Sequence, residues 1–194
     1  MKCLGYAAGK TVSYAYRGTY VDFLNALAIR ESSNNFRVES ATYHYLGRYQ
    51  LGELALADIG WYYEGVPGQR KAPNDYKGTW TSLAKGYGVK SKDDFLNKPH
   101  AQEAAVRAYH KNNWKYLSNR GALKYLGGVV NDRRWGTIFL SESALLAGSH
   151  LCGAPAISDY LKSNRRMPPS DGLGTQVTEY MSMFGGYNIS AIMN

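Results

Sequence analysis

The chain has 194 residues, of which 44% are hydrophobic and 20% charged, proportions typical of a globular protein with a substantial core. It has no run of eighteen apolar residues, so a membrane span is not expected, and residues 1–18 lack the apolar stretch of a signal peptide. The formal net charge of +8 favours an anionic partner, but no zinc-finger, RNP or basic-region pattern accompanies it, so nucleic acid is not the expected partner.

The composition along the chain suggests a short arm and one domain. Residues 1–18 are poor in apolar side chains and are expected to form an N-terminal arm, with residues 19–194 as the single folded domain. Cys3 and Cys152 are far apart in sequence, and we expect both to be free thiols, with Cys152 packed in the interior.

The first predicted helix begins at Thr19, because Thr19 and Asp22 have the spacing of a capping box. Four apolar residues then recur at helical spacing and define one buried face: Tyr20, Phe23, Leu24 and Leu27. Glu31 follows Leu27 by four residues and therefore extends the same face.

Glu31 is the first candidate catalytic residue. Burial disfavours the charged form of a carboxyl group, and a carboxylic acid that stays protonated near neutral pH can protonate the leaving oxygen of a glycoside. The alternative is that Glu31 is a solvated residue at a helix end, although the helix dipole disfavours a carboxylate in the last turn.

The middle of the chain is predicted to continue with helices separated by loops. A polar SSNN segment and an irregular stretch or small hairpin over residues 36–45 lead to Gly47-Arg48-Tyr49-Gln50. A second helix is expected over residues 51–63, with Leu51, Leu54, Ala55 and Ile59 buried, followed by a long Gly- and Pro-rich loop over residues 65–80.

The last hundred residues are also predicted to be mainly helical. Ser91 and Asp94 cap a short helix, and Pro99 opens a long one over residues 100–117. Residues 126–139 are a loop with a short hairpin. A helix capped by Ser141 is broken at Gly153 and Pro155, and Thr175 is expected to cap the final helix, which buries Val177, Tyr180, Met181 and Phe184.

Six motifs occur in an order that resembles the lysozyme-like superfamily, in particular soluble lytic transglycosylases and the cell-wall hydrolases of phages and secretion systems. They are RESSNNF, LGRYQLGELAL, NDYKGTW, FLNKPHAQEAAVRAYH, LLAGSHLCGAPAI and DGLGTQVTEYMSMFGGY. Together they cover nearly the whole chain. The resemblance implies a mainly α, lysozyme-like helical domain with at most a small β-hairpin beside the cleft.

The resemblance also assigns roles to individual residues. Glu31 matches the catalytic acid, and Ser32, Tyr49 and Gln50 match positions that line the cleft and bind the sugar. His150 stands where transglycosylases have a tyrosine that supports the acid. His150 and Tyr180 are therefore also expected to bind the substrate. The alternative for His150 is a packed histidine of the core. No metal ion or cofactor is expected.

A second carboxylate is the open part of the predicted mechanism. Glycosidases use one to hold a water or to act as the nucleophile. The candidates are Glu39, Glu53 and Asp58, although the place of Glu53 in a first helical turn is also explained by the helix dipole. In soluble transglycosylases the N-acetyl group of the sugar acts as the nucleophile in place of a second carboxylate.

The expected function is cleavage of the β-1,4 bond between N-acetylmuramic acid and N-acetylglucosamine in peptidoglycan. The alternatives are a lytic transglycosylase that forms 1,6-anhydro ends and a non-catalytic wall-binding module with the same fold. The expected partners are peptidoglycan and an immunity protein, and the protein is expected to act as a monomer in the periplasm or cell wall. Delivery by a secretion system or a phage holin, or as part of a longer protein, would fit.

Overall fold

A computed structural model describes residues 2–7, 10–64 and 73–193, with side chains from residue 15 onward. Within these ranges the chain is mainly α-helical, as predicted. The α-helices are α1 (Tyr20–Ser32), α2 (Glu53–Asp58), α3 (Ser82–Gly86), α4 (Lys92–Leu96), α5 (Pro99–Asn119), α6 (Glu142–Lys162) and α7 (Val177–Phe184). Short 3-10 helices cover Ala122–Tyr125 and Ser190–Ile192.

The described strands form three antiparallel pairs of two strands each. They are β1 (Lys2–Ala7) with β2 (Lys10–Ala15), β3 (Tyr62–Tyr63) with β4 (Thr79–Trp80), and β5 (Val129–Asp132) with β6 (Gly136–Phe139). The β5–β6 hairpin lies where a hairpin was predicted. The other two pairs were not foreseen, and β1 and β2 occupy most of the segment predicted as an arm.

The chain forms two compact units. One contains Met1–Leu24 and Asn113–Asn194, and the other contains Asn25–Asn112. The boundaries fall inside α1 and α5, so both helices contribute residues to each unit.

Helix α1 begins as the sequence predicts. The Thr19 backbone N–H donates to the Asp22 carboxylate at 2.7 Å, and the Asp22 N–H donates back to the Thr19 hydroxyl at 3.4 Å. These bonds satisfy two donors that the first helical turn leaves without partners. All four residues of the predicted apolar face are buried: Tyr20, Phe23, Leu24 and Leu27.

Aromatic packing builds the core of the unit formed by Asn25–Asn112. Phe95 lies against Trp61 and Trp80, with ring centroids 6.4 Å and 5.9 Å away. The second predicted helix is too long, because α2 ends at Asp58 and Gly60 turns the chain with φ 72°. Tyr62 then pairs with Trp80, and Leu54, predicted to be buried, is exposed.

Helices α6 and α7 form the centre of the other unit. Gly153 leaves the helical conformation inside α6 (φ 80°, ψ 152°), which confirms the predicted break. The predicted stripe of α7 is buried, but the helix is capped by Gln176, without a side-chain hydrogen bond, and not by Thr175. Phe23 of α1 packs edge-on against Phe184 and Tyr187 of this unit.

Candidate functional site

Glu31 lies in the last turn of α1, where the chain leaves the helix abruptly. Its side chain is half-buried. Ser33 and Asn34 follow with left-handed backbone angles, φ 53° and 65°, and the Asn34 N–H donates to the Ala28 carbonyl at 2.9 Å. This pattern closes the end of the helix and fixes the backbone next to Glu31.

The Ser32 hydroxyl fastens the helix end to the Gly47-Arg48-Tyr49-Gln50 turn. It donates to the Arg48 carbonyl at 2.9 Å and lies 3.2 Å from the Ala28 carbonyl, and it accepts the Asn35 N–H at 3.0 Å. Its single proton is therefore engaged within the protein. The predicted sugar-binding residue Ser32 thus connects the segments that carry the first two sequence motifs.

Two left-handed residues give the turn its shape. Gly47 has φ 71° and Gln50 has φ 47°. The Gln50 side-chain amide donates to the Gly47 carbonyl at 2.8 Å, which closes the turn on itself. The Gln50 side chain is half-buried, and its amide oxygen is not used in that bond.

Arg48 holds both sides of the end of α1. Its guanidinium donates to the Asn25 side chain at 2.7 Å and to the Asn34 side chain at 2.7 Å. These two residues precede and follow Glu31, so one rigid, planar cation fixes the helix on both sides of the candidate acid. Glu103 of α5 forms an ion pair with the same guanidinium.

Tyr49 does not have the exposure that sugar binding would require. Its side chain is 1% exposed, and its hydroxyl donates to Glu103 at 2.7 Å. The structure therefore assigns Tyr49 to packing and to the Arg48–Glu103 network, in place of the cleft-lining role inferred from the motif.

Two residues of α5 that sequence reasoning did not select complete this arrangement. The Gln102 side chain accepts the Arg48 backbone N–H at 2.8 Å and donates to the carbonyls of Phe36 and Phe95. Glu103 is the counter-ion of Arg48. Both lie in the motif FLNKPHAQEAAVRAYH, which was the one sequence signal of their importance.

Glu39 is the predicted second carboxylate with the strongest electrostatic support. One oxygen accepts from Lys92 at 2.8 Å, and the other lies 2.7 Å from the His44 ring nitrogen. The hydrogen bond from Lys92 lowers the pKa of Glu39 below its usual range, and His44 contributes in the same direction. Glu39 is thus an ionised group with a partner at each oxygen.

Glu53 anchors a loop instead of facing a substrate. Its carboxylate is buried and accepts the backbone N–H groups of Tyr76, at 2.7 Å, and Asp75, at 3.3 Å. Burial and a hydrogen bond with Glu53 raise the pKa of Tyr62. The carboxylate thus organises the end of the long loop, a role beyond the helix-dipole explanation that its place in the first turn of α2 suggested.

Asp58 ends α2 and is half-buried. Its backbone carbonyl and its carboxylate accept from the Asn112 side chain at 2.9 Å and 3.2 Å. This pair connects α2 to α5. All three candidate second carboxylates therefore have protein hydrogen-bond donors.

The remaining candidates belong to the other unit. Tyr180 is 3% exposed and packs against Phe184, with ring centroids 5.3 Å apart, so it is a core residue in place of the predicted sugar-binding one. His150 lies on α6, close to the Gly153 break, and is half-buried. Cys152 is a half-buried free thiol, and burial raises its pKa to about 11; the Cys3 side chain lies outside the described residues.

The described residues contain neither a candidate metal centre nor a candidate membrane span. No group of three or more His, Cys, Asp or Glu side chains among them is arranged to hold a metal ion. No helix in the described ranges has the length and apolar character needed to cross a membrane.

The geometry around Glu31 is that of a carboxyl group on a rigid support. Ser32, Gly47, Arg48 and Glu103 fix the backbone on both sides of it, and the side chain itself remains partly accessible.

Comparison of the chain with protein-family models, with curated proteins and with solved structures found no match.

Proposed function

We propose that the protein is a peptidoglycan glycosidase that cleaves the β-1,4 bond between N-acetylmuramic acid and N-acetylglucosamine, with Glu31 as the general acid. The observation that carries the proposal is a half-buried glutamate at the end of α1, next to backbone that hydrogen bonds of Ser32 and Arg48 hold in place. The helix dipole disfavours negative charge at that end, and an acid catalyst needs a protonated carboxyl group. The ordered resemblance of six motifs supplies the substrate class.

In this proposal Glu31 protonates the glycosidic oxygen as the bond to the sugar carbon breaks. Positive charge then develops on the ring of the muramic acid residue. The Arg48 network holds the helix end that carries Glu31, which matters because small errors in position slow proton transfer strongly. Gln50, half-buried at the turn that Ser32 joins to the end of α1, is the candidate sugar contact that remains.

Formation of a 1,6-anhydro product is the second candidate activity. The specific observation that favours it is the engagement of Glu39, Glu53 and Asp58 with protein donors. A transglycosylase needs no second carboxylate: the N-acetyl oxygen attacks the anomeric carbon as the glycosidic bond breaks, and the 6-hydroxyl of the same sugar then displaces it and gives its proton to the Glu31 carboxylate. A hydrolase would use the ionised Glu39, which has the electrostatics of a charge stabiliser.

The test compares Glu31→Gln with Glu64→Gln, which changes a half-buried glutamate that directly follows β3. Glu31→Gln should reduce the rate of turbidity loss of cell walls by about 100-fold or more and leave co-sedimentation with walls unchanged. Glu64→Gln should lyse like the parent protein. Lysis by Glu31→Gln at the parent rate would disprove the assignment, and mass spectrometry of the released fragments separates reducing ends from anhydro ends, which are lighter by one water.

A further inference from the structure

Tyr87 is an exposed aromatic residue that stacks on a buried one in the unit formed by Asn25–Asn112. It directly follows α3 and is 39% exposed, whereas Trp61 is 2% exposed. Their ring centroids are 4.7 Å apart, and the ring planes are inclined by 29°. Because the indole covers one face of the Tyr87 ring, the exposed surface of the ring belongs to its other face and its edge.

The support under Tyr87 continues into the core. Trp61 packs edge-on against the fully buried Phe95, with ring centroids 6.4 Å apart. The Phe95 carbonyl accepts from the Gln102 side chain at 2.9 Å, and the oxygen of the same side chain accepts the Arg48 N–H at 2.8 Å. Gln102 therefore holds both the base of this aromatic stack and the turn that supports the end of α1.

The backbone of Tyr87 is fixed as well. Its N–H donates to the Ala84 carbonyl at 3.0 Å, and its carbonyl lies 3.2 Å from His100 Nε2. Since a carbonyl can only accept, Nε2 carries the proton, and Nδ1 of the neutral imidazole is an acceptor. The Tyr87 hydroxyl has no hydrogen bond to the described part of the chain.

Glycines on both sides leave the Tyr87 ring without neighbouring side chains from the adjacent residues. A Cβ atom built at Gly86 would meet nothing within 4 Å, and one at Gly88 would lie closest to the aliphatic part of Lys98, 2.9 Å from its Cε. Leu83, one helical turn before Tyr87, is 52% exposed and lies on the same face of α3. The surface around the ring is therefore open and partly apolar.

This combination of groups suits a sugar ring. A pyranose has a face of C–H groups that can lie on an aromatic ring, whose face is electronegative, and hydroxyl groups around its edge. The Tyr87 hydroxyl and an imidazole acceptor next to the same residue can bond such hydroxyls. The electronegative face of the ring would repel an anion, so the ring itself favours a neutral group.

We propose that Tyr87 is a stacking platform for a sugar, and that its ligand is an N-acetylhexosamine ring of the glycan strand. The choice of that glycan rests on the proposed function. Because Trp61 already holds the ring in place, little side-chain freedom is lost when the sugar binds. The platform would give the strand a binding position in addition to the reaction site at Glu31.

The first experiment reads the platform directly, in protein that carries Glu31→Gln and tyrosine labelled with 13C. The ring resonances that disappear in Tyr87→Phe identify Tyr87. They should shift when a peptide-free GlcNAc–MurNAc tetrasaccharide is added, and stay in place with the stem tetrapeptide alone. Resonances that do not move up to about 10 mM saccharide, or that move equally with the peptide, would overturn the proposal.

The second experiment measures co-sedimentation with cell walls, again in the Glu31→Gln background. Tyr87→Leu keeps apolar cover on Trp61 but removes the flat ring, and it should need about tenfold more wall for half-maximal binding. Tyr87→Phe keeps the ring and should bind within about threefold of the parent. Tyr116→Leu is the matched control, because Tyr116 is 38% exposed and lies in the other unit.

Binding of Tyr87→Leu at the parent level, or equal losses in Tyr87→Leu and Tyr116→Leu, would contradict the proposal. If Tyr87→Leu does not fold, the resonances of the folded Glu31→Gln protein decide alone. The outcome is separable from that of the proposed function. Lysis by Glu31→Gln would remove the catalytic assignment even if the saccharide shifts Tyr87, and loss of lysis with unmoved Tyr87 resonances would leave that assignment standing and refute the platform.

Discussion

At position 47, both the backbone and the packing require glycine. Gly47 has φ 71°, and a Cβ atom there would lie 2.1 Å from the Gln102 side-chain oxygen. Gln102 has no simple way to move, since its oxygen accepts the Arg48 N–H and its nitrogen donates to two carbonyls. Because Gly47 has no side chain, Gln102 can make the hydrogen bonds that support the end of α1.

Gly47→Ala should lower the free energy of unfolding by about 3 kcal/mol, of which about 1 kcal/mol comes from the backbone angle and the rest from the displaced Gln102. Gly121→Ala is the control, because Gly121 has φ 69° and a Cβ atom added there would meet nothing within 4 Å. It should cost about 1 kcal/mol. Urea denaturation of both variants measures the difference, and equal losses would show that the contact with Gln102 is not rigid.

Arg48 shows how one residue joins sequence features that were recognised separately. The motif containing Glu31 and the motif containing Tyr49 and Gln50 were both found from sequence. Their connection through Asn25, Asn34 and Glu103 was not, because it depends on which side chains face each other in the folded unit. The cleft-lining role of Tyr49 was inferred from its motif alone, and a motif does not show that the side chain is buried in the folded unit.

At the scale of elements, local signals predicted well and distant pairings did not. The caps of α1, α4 and α6 were all predicted from a polar residue before an apolar pattern, since these hydrogen bonds span only three residues. Helix α2 was extended to residue 63 because Leu, Ala and Ile continue the helical pattern. The chain instead leaves the helix after Asp58, and Tyr62 forms a strand pair with Trp80, 18 positions later.

The cap of α6 supports more than its own helix. The buried Ser141 hydroxyl accepts the Ala144 N–H at 3.2 Å and also the Gly186 N–H at 2.9 Å. Ser141→Ala should therefore destabilise the protein by about 2 kcal/mol, the upper part of the range for a lost cap, because a second, partly buried donor also loses its acceptor.

Ser91→Ala provides the comparison at α4. Ser91 is exposed and its hydroxyl accepts only the Asp94 N–H, at 3.1 Å, within the described residues. Its loss should cost about 1 kcal/mol or less, because water can reach the released donor. Thermal unfolding of the two variants tests the difference. Similar losses would indicate that the bond from Gly186 adds little.

At the scale of the whole molecule, the ionised carboxylates determine how stability depends on pH. Lys92 and His44 lower the pKa of Glu39, bonds from Thr19 lower that of Asp22, and Lys98 and the Lys90 N–H lower that of Asp94. A lowered pKa means that the unfolded chain binds protons more readily than the folded one. The corresponding stability is present above the ordinary values, 4.5 for Glu and 3.8 for Asp, and is lost as the pH falls through the folded-state values.

The contribution of these three carboxylates to the free energy of unfolding should consequently be nearly constant from pH 7 to about pH 5 and fall steadily below about pH 4.5. Glu39→Gln should lower stability at pH 7 and make the acid slope shallower, because one proton fewer is taken up on unfolding. Asp93→Asn, at an exposed residue of α4 with no hydrogen bond to its carboxylate from the described part of the chain, should leave that slope nearly unchanged. Urea denaturation of the three proteins at pH 7, 5, 4 and 3 gives the slopes. An acid slope in Glu39→Gln equal to that of the parent would mean that the Lys92–Glu39–His44 contact does not persist in solution, and would remove the electrostatic support for Glu39 as a charge stabiliser.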